Sequence, residues 1–118
     1  MPFAISDPVS SVLNAALDGI ALRQRVTADN IANVDTPGYR ASSVDFETSL
    51  RAAIAAGDPA GAAPGELLAT DTPVGANGNN VDLRKETLAA VQSQFQYQIL
   101  TRATTDRFAL IKTAAGVA

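Results

Sequence analysis

The side chains best equipped for chemistry in this sequence are two carboxylates, Asp45 and Glu47, and two amides, Asn30 and Asn33. Paired carboxylates do acid and base work when a pocket separates their pKa values and a substrate reaches both. Here no base, metal ligand or pocket-forming pattern accompanies them, so the pair reads as surface. Histidine and cysteine are absent altogether. That removes the commonest general base, thiolate metal sites, cysteine nucleophiles and disulfides together. No catalytic residue, cofactor or metal is expected. The two amides lie three residues apart and hence near one face of a helix. They are either exposed groups at a helix end or buried groups that fix register between helices.

The composition has room for one small domain, with 47% hydrophobic residues but only 5% aromatic. Much of the apolar total is alanine, which contributes less on burial than the about 1.5–3 kcal/mol of a large aliphatic side chain. A thick globular core is therefore not expected. Residues 35–82 hold seven acids against Arg40 and Arg51, while residues 83–118 hold five bases against Glu86 and Asp106. Such asymmetry suits either solvated helix faces or steering between like subunits. Arg84, Lys85, Arg102, Arg107 and Lys112 form no dense stripe with interleaved aromatics, so nucleic acid is not an expected partner. No apolar run is long enough to span a bilayer, and the first residues lack the pattern of a cleavable signal peptide.

The amides must be positioned by the elements around them. Asp7-Pro8 reads as an N-cap followed by proline at the first helical position. Leu13, Leu17, Ile20, Ala21, Ala28, Ile31 and Ala32 then recur at helical spacing, giving a helix that ends near Val34, about 40 Å long. Thr36-Pro37-Gly38-Tyr39 stops it, with Pro37-Gly38 fitting the centre of a type II turn. Ser42 to Leu50 fits either a short strand or a helical turn. Residues 55–80, rich in alanine, glycine and proline, read as a mobile loop with an isolated turn at Asn77-Gly78. Asn80-Val81-Asp82 offers caps for a second helix. It should run roughly 50 Å to about Ala115, with Leu88, Val91, Phe95, Ile99 and Ala103 in one stripe and Leu100, Ala103, Leu110 and Ala114 in another. Two such helices do not hide both stripes by pairing with each other. A helical hairpin with a wide seam is one solution, and packing between copies uses the surface better.

Asp29-Asn30-Ile31-Ala32-Asn33-Val34-Asp35-Thr36-Pro37-Gly38-Tyr39-Arg40 closely resembles the N-terminal signature of the flagellar rod, hook and hook-filament axial proteins. Within that family, Asn79-Asn80-Val81-Asp82-Leu83, Lys85-Glu86, Gln94, Tyr97 and the terminal Phe108 to Ala114 segment look like those of the proximal rod. The sister rod protein FlgC is expected to carry a Pro-Asn-Val-Asp type of motif and a different tail. Thr87 departs from the family, which tends to have methionine there. The likeness covers both ends of the chain and leaves the Ala/Gly/Pro middle unmatched.

The resemblance implies an all-α subunit: two long terminal helices in a coiled-coil-like layer, joined by a partly disordered middle. On this view residues 1–34 are the N-terminal helix, 35–81 the turn motif and flexible insertion, and 82–118 the C-terminal helix. The motif residues are Asn30, Ile31, Ala32, Asn33, Thr36, Pro37, Gly38 and Tyr39, with the two asparagines expected between helices. The assembly seam is expected at Leu13, Leu17, Ile20, Ile31, Leu88, Val91, Phe95, Ile99 and Leu110. The resemblance further implies export from the cytoplasm, unfolded, through the flagellar type III apparatus. Assembly would then follow into a hollow drive-shaft at the periplasm-spanning rod base. Implied partners are further copies, FlgC and other rod neighbours, the rod-base protein FliE, the inner-membrane ring and the export gate. The competing expectation is a helical adaptor or export chaperone that holds a partner helix in its stripe.

Overall fold

The computed structural model describes residues 8–116. Helix α1 (Pro8–Ala32) is followed by strand β1 (Ser42–Asp45), helix α2 (Glu47–Ala55), a 3-10 turn at Pro59–Gly61, strand β2 (Glu66–Ala69) and helix α3 (Leu83–Ala114). The expected cap Asp7 lies outside the described residues. At the far end of α1, Asn33 Nδ2 donates to the Asp29 carbonyl at 2.8 Å and Thr36 Oγ1 donates to Asn33 Oδ1 at 3.0 Å. The last turn thus satisfies its own polar groups before Pro37 ends it. The turn is of the expected kind: Tyr39 N–H donates to the Thr36 carbonyl at 3.2 Å across Pro37-Gly38, and Gly38 takes φ 77°. Asp82 caps α3, accepting from the Lys85 N–H at 3.2 Å.

The middle segment departs from expectation. It is neither wholly helical nor an unstructured loop: β1 and β2 pair antiparallel with Val44 opposite Leu67, so the fold is helical with a small sheet rather than all-α. The ambiguous Ser42 to Leu50 stretch resolves into both readings in succession, strand to Asp45 and helix from Glu47. Asp45 makes the switch, accepting from Thr48 N–H at 3.1 Å and from Thr48 Oγ1 at 2.8 Å at the start of α2. Glu66 to Ala69 escapes sequence reading because all four residues are exposed and no alternation marks a strand.

The hydrophobic core sits between α1 and this insertion. Ala16, Ile20, Val44 and Phe46 form it, with Leu22, Val26, Leu50 and Leu100 packed around them. Gly19 makes the arrangement possible, because a Cβ there would stand 2.2 Å from Cγ of Phe46. The Phe46 ring fills the space a side chain would take, and the Arg23 guanidinium lies over the ring, 4.7 Å from its centroid. Helix α3 returns antiparallel along α1, and its inward face is made differently. Glu86 and Ser93 are buried there, with Ala89, Ala90 and Thr104 half-buried. The Ser93 hydroxyl has no hydrogen-bond partner among the described residues, which weakens this contact further.

Candidate assembly interface

The asparagines of the two sequence motifs meet in space. Asn30, 1% exposed, donates from Nδ2 to the Ser42 carbonyl at 2.7 Å, and its Oδ1 accepts from Ser42 N–H and Tyr39 Oη, both at 3.2 Å. Asn79 donates from Nδ2 to the Asn33 and Thr36 carbonyls, both at 2.8 Å, while its Oδ1 takes the Val81 N–H at 2.7 Å. Asn80 Oδ1 accepts from Ala41 N–H at 2.7 Å, and the Asn80 N–H donates to the Tyr39 carbonyl at 3.3 Å. These amides form a clasp that binds the chain leaving α1 to the chain entering α3. Asparagine suits the task because one planar amide donates and accepts at once, matching the paired demands of exposed backbone.

Within the chain the side-chain amides of Asn30 and Asn33 bond locally, to the end of α1, the turn after it and β1, rather than to α3. Asn30 Oδ1 accepts twice, from Ser42 N–H and Tyr39 Oη, and each of the two amides spends one of its N–H groups on a nearby carbonyl. Tyr39 packs the turn through the same network, and Thr36, Pro37 and Gly38 are exposed on its outside. Ile31 is half-buried and Ala32 exposed.

The expected seam residues divide into two groups. Ile20, 1% exposed, belongs to the chain's own core and is no longer available to a partner. Leu13, Leu17 and Ile31 are half-buried along α1. Leu88, Val91, Phe95, Ile99 and Leu110 are all more than half exposed. At 3.6 residues per turn these five cluster on the side of α3 roughly opposite Glu86, Ser93 and Leu100. Apart from Leu100, which packs on the core, the helix therefore turns small and polar side chains inward and these five large apolar ones to water. Beside the ridge, Gln24, Ala28 and Ile31 of α1 and Ala90, Gln94 and Tyr97 of α3 border a groove of about 460 Å³.

Asp45 and Glu47 hold the start of α2 and the Arg23 guanidinium: Asp45 accepts from Thr48, and Glu47 from Arg23. The Thr48 backbone and hydroxyl hydrogen bonds hold the Asp45 carboxyl below its ordinary pKa. Burial pushes Glu47 up, but the hydrogen bond from Arg23, its own backbone N–H and the Arg23 charge outweigh this and leave it lowered. Arg23 reaches Glu47 Oε1 and the Val44 carbonyl from the same nitrogen, at 2.6 and 2.7 Å. Sequence reading does not single out Gly19 or Arg23, and it counts Phe46 only as a pattern residue of the ambiguous Ser42 to Leu50 stretch. A glycine inside an amphipathic helix, in a chain with few aromatics to dock on it, is the signal that could have found them.

No group of acids, among the described residues, is arranged to hold a metal ion, and no described helix is long and apolar enough to cross a membrane. Residues 14–40 match the family model described as flagella basal body rod protein. The curated flagellar basal body rod protein FlgB of Bacillus subtilis is 34% identical over 113 residues, covering 86% of this chain and 88% of that protein. The FlgB of Borreliella burgdorferi is 33% identical, covering 72% and 78%. The FlgB of Escherichia coli is 32% identical, covering 71% and 75%. The matched stretch contains the first half of the clasp and the turn it secures. With relatives aligned over most of their length, the chain belongs to the FlgB family of flagellar basal body rod proteins, which are structural components and not enzymes.

Proposed function

We propose that this chain forms the proximal rod by packing its two terminal helices against further copies and against neighbouring rod proteins such as FlgC. The observation that carries the reading is the outward ridge of α3. Leu88, Val91, Phe95 and Ile99 are between 56 and 61% exposed, while the face turned to α1 is, apart from Leu100, small and polar. A monomer gains nothing from that distribution, whereas a subunit buried between neighbours covers the ridge and gains about 25 cal/mol for each Å² removed from water. In this reading the seam comprises Leu13, Leu17 and Ile31 of α1 with Leu88, Val91, Phe95, Ile99 and Leu110 of α3. The helices line a hollow shaft, next to FliE, the inner-membrane ring and the export gate, and the chain reaches that place by type III export. The clasp sets the angle at which the insertion leaves the helical layer.

Basal bodies purified from cells with the gene intact and with it deleted test this. The expected result is the chain at the rod base in the first and no rod in the second. Complete rods in the deletion strain, with the chain recovered in soluble one-to-one complexes, would overturn it in favour of an adaptor.

A further inference from the structure

Two stripes on different helices carry matching patterns. On α3, Arg84, Leu88, Val91, Phe95, Ile99 and Arg102 follow at spacings of four, three, four, four and three, all exposed: four large apolar residues with an arginine at each end. On α1, Asp18, Ala21, Arg25, Ala28, Ala32 and Asp35 follow at three, four, three, four and three, an alanine stripe with an acid at each end. All are exposed but Ala21, which is half-buried. Asp35 lies just past α1, where Asn33 N–H and Val34 N–H still bond back to Asp29 and Ile31 carbonyls. At 1.5 Å per residue the two stripes span about 27 and about 26 Å. Small residues let a second helix approach closely, and large ones supply what fills the gap.

We infer that the α3 ridge of one copy lies antiparallel on the α1 stripe of the next, with Arg102 beside Asp18 and Arg84 beside Asp35. The inference rests on the self-assembly reading above and names its contact. In this register Ile99 meets Ala21, Phe95 meets Arg25, Val91 meets Ala28 and Leu88 meets Ala32. Each alanine faces a large aliphatic residue, and the arginine inside the stripe lands on the one aromatic of the ridge, where a cation and a ring face attract. A parallel register also aligns the end charges but sets Arg25 against Val91. Symmetry favours the antiparallel choice too, because α1 and α3 run antiparallel within one chain. Copies related by rotation about an axis along the helices keep that sense between chains.

The two stripes are different surfaces, so the contact is heterologous and generates a ring or a helical filament rather than a closed pair. The end charges set register more than affinity. Arg102 now sits 3.6 Å from Asp106, both side chains largely exposed, and that loose pair is free to exchange.

The chain contains no cysteine, so single cysteines report contacts cleanly. Chains carrying Asp18→Cys and Arg102→Cys, with different tags, are co-expressed in cells lacking the native copy, oxidised, and recovered with the basal body. The expected product is a disulfide joining the two differently tagged chains, with none when Asp18→Cys is paired with Arg84→Cys or expressed alone. A crosslink to Arg84→Cys would establish the parallel register, and a crosslink of Asp18→Cys to itself would establish a two-fold contact. Either overturns the inference. Wild-type chain present in rods without any of these crosslinks also overturns it while leaving self-assembly standing, and wild-type chain absent from rods removes both. As a second arm, Asp18→Arg should reduce motility and Arg102→Asp in the same chain should restore it; no restoration contradicts the pairing.

Discussion

Around Phe46 the chain buries large side chains against glycine and alanine, whereas along α3 it buries serine and glutamate, half-buries alanines and Leu100, and leaves Leu88, Val91, Phe95 and Ile99 in water. Both regions touch α1. The first is built to hold one chain together: Phe46 fills the notch over Gly19, Arg23 covers the ring, and Glu47 anchors the arginine. The second is made mostly of small and polar side chains, with a Ser93 hydroxyl that has no hydrogen-bond partner among the described residues. The difference teaches that amphipathic periodicity identifies an apolar face without telling which molecule covers it. In α3 the most apolar stripe is the one turned away from its own chain.

The strongest way to break this comparison is at Gly19. An alanine inside a helix ordinarily gains roughly 1 kcal/mol over glycine. Here Gly19→Ala should instead cost about 3 kcal/mol, at the upper end for overpacking, because its methyl meets the Phe46 ring. Denaturant unfolding followed by circular dichroism reads the sign, and a stabilised variant would mean that the ring is free to leave. Next comes Asn79→Ala, which removes the two bonds to the Asn33 and Thr36 carbonyls and the one from Val81. The expected loss is about 2 kcal/mol, with faster amide exchange concentrated between residues 33 and 42. Uniform exchange with no local change would count against the clasp.

Much of this was legible from residues alone. Pro8, the Asn33 to Tyr39 stop and the Asp82 cap mark both long helices to within a few residues, because caps and turns are local chemistry. The sheet was not legible: Glu66 to Ala69 has no alternation, and its strand exists because Val44 and its neighbours offer an edge. The clasp was half legible. Asn79 and Asn80 stood out before α3, but their partners lie more than 30 residues away, and sequence spacing carries no such information. Periodicity counts Ile20 with Leu13 and Leu17 in the seam, and only the folded chain shows that Val44 and Phe46 of the insertion cluster with it, with Leu100 packed against them.

Smaller effects sharpen the comparison. Gly38→Val places a β-branched residue at φ 77° and should cost roughly 1–2 kcal/mol. Tyr39→Phe loses only the 3.2 Å bond to Asn30, whose Oδ1 keeps Ser42 N–H, and should cost less than about 1 kcal/mol. Equal melting temperatures would contradict the turn geometry. The smallest effect belongs to Glu47, whose lowered pKa contributes stability at neutral pH that disappears as pH falls through and below the ordinary carboxylate range. Since its side chain is 48% exposed, solvent screens most of that contribution. Glu47→Gln should flatten the acid limb of a stability against pH curve slightly, and an unchanged limb would leave the Arg23 pair without energetic weight.

The most direct test of the outward ridge is Val91→Asp, at a position 61% exposed. An aspartate there stays largely in water in the free chain, so the unfolding free energy should match the parent within about 0.5 kcal/mol and the secreted amount should be unchanged. In an assembled rod the same charge is buried without a partner, at a cost of several kcal/mol in each contact. Secretion and rod incorporation measured in parallel should therefore separate, with normal export and no incorporation. Normal incorporation would contradict the buried ridge, and a destabilised, degraded chain would show that Val91 belongs to the subunit's own core.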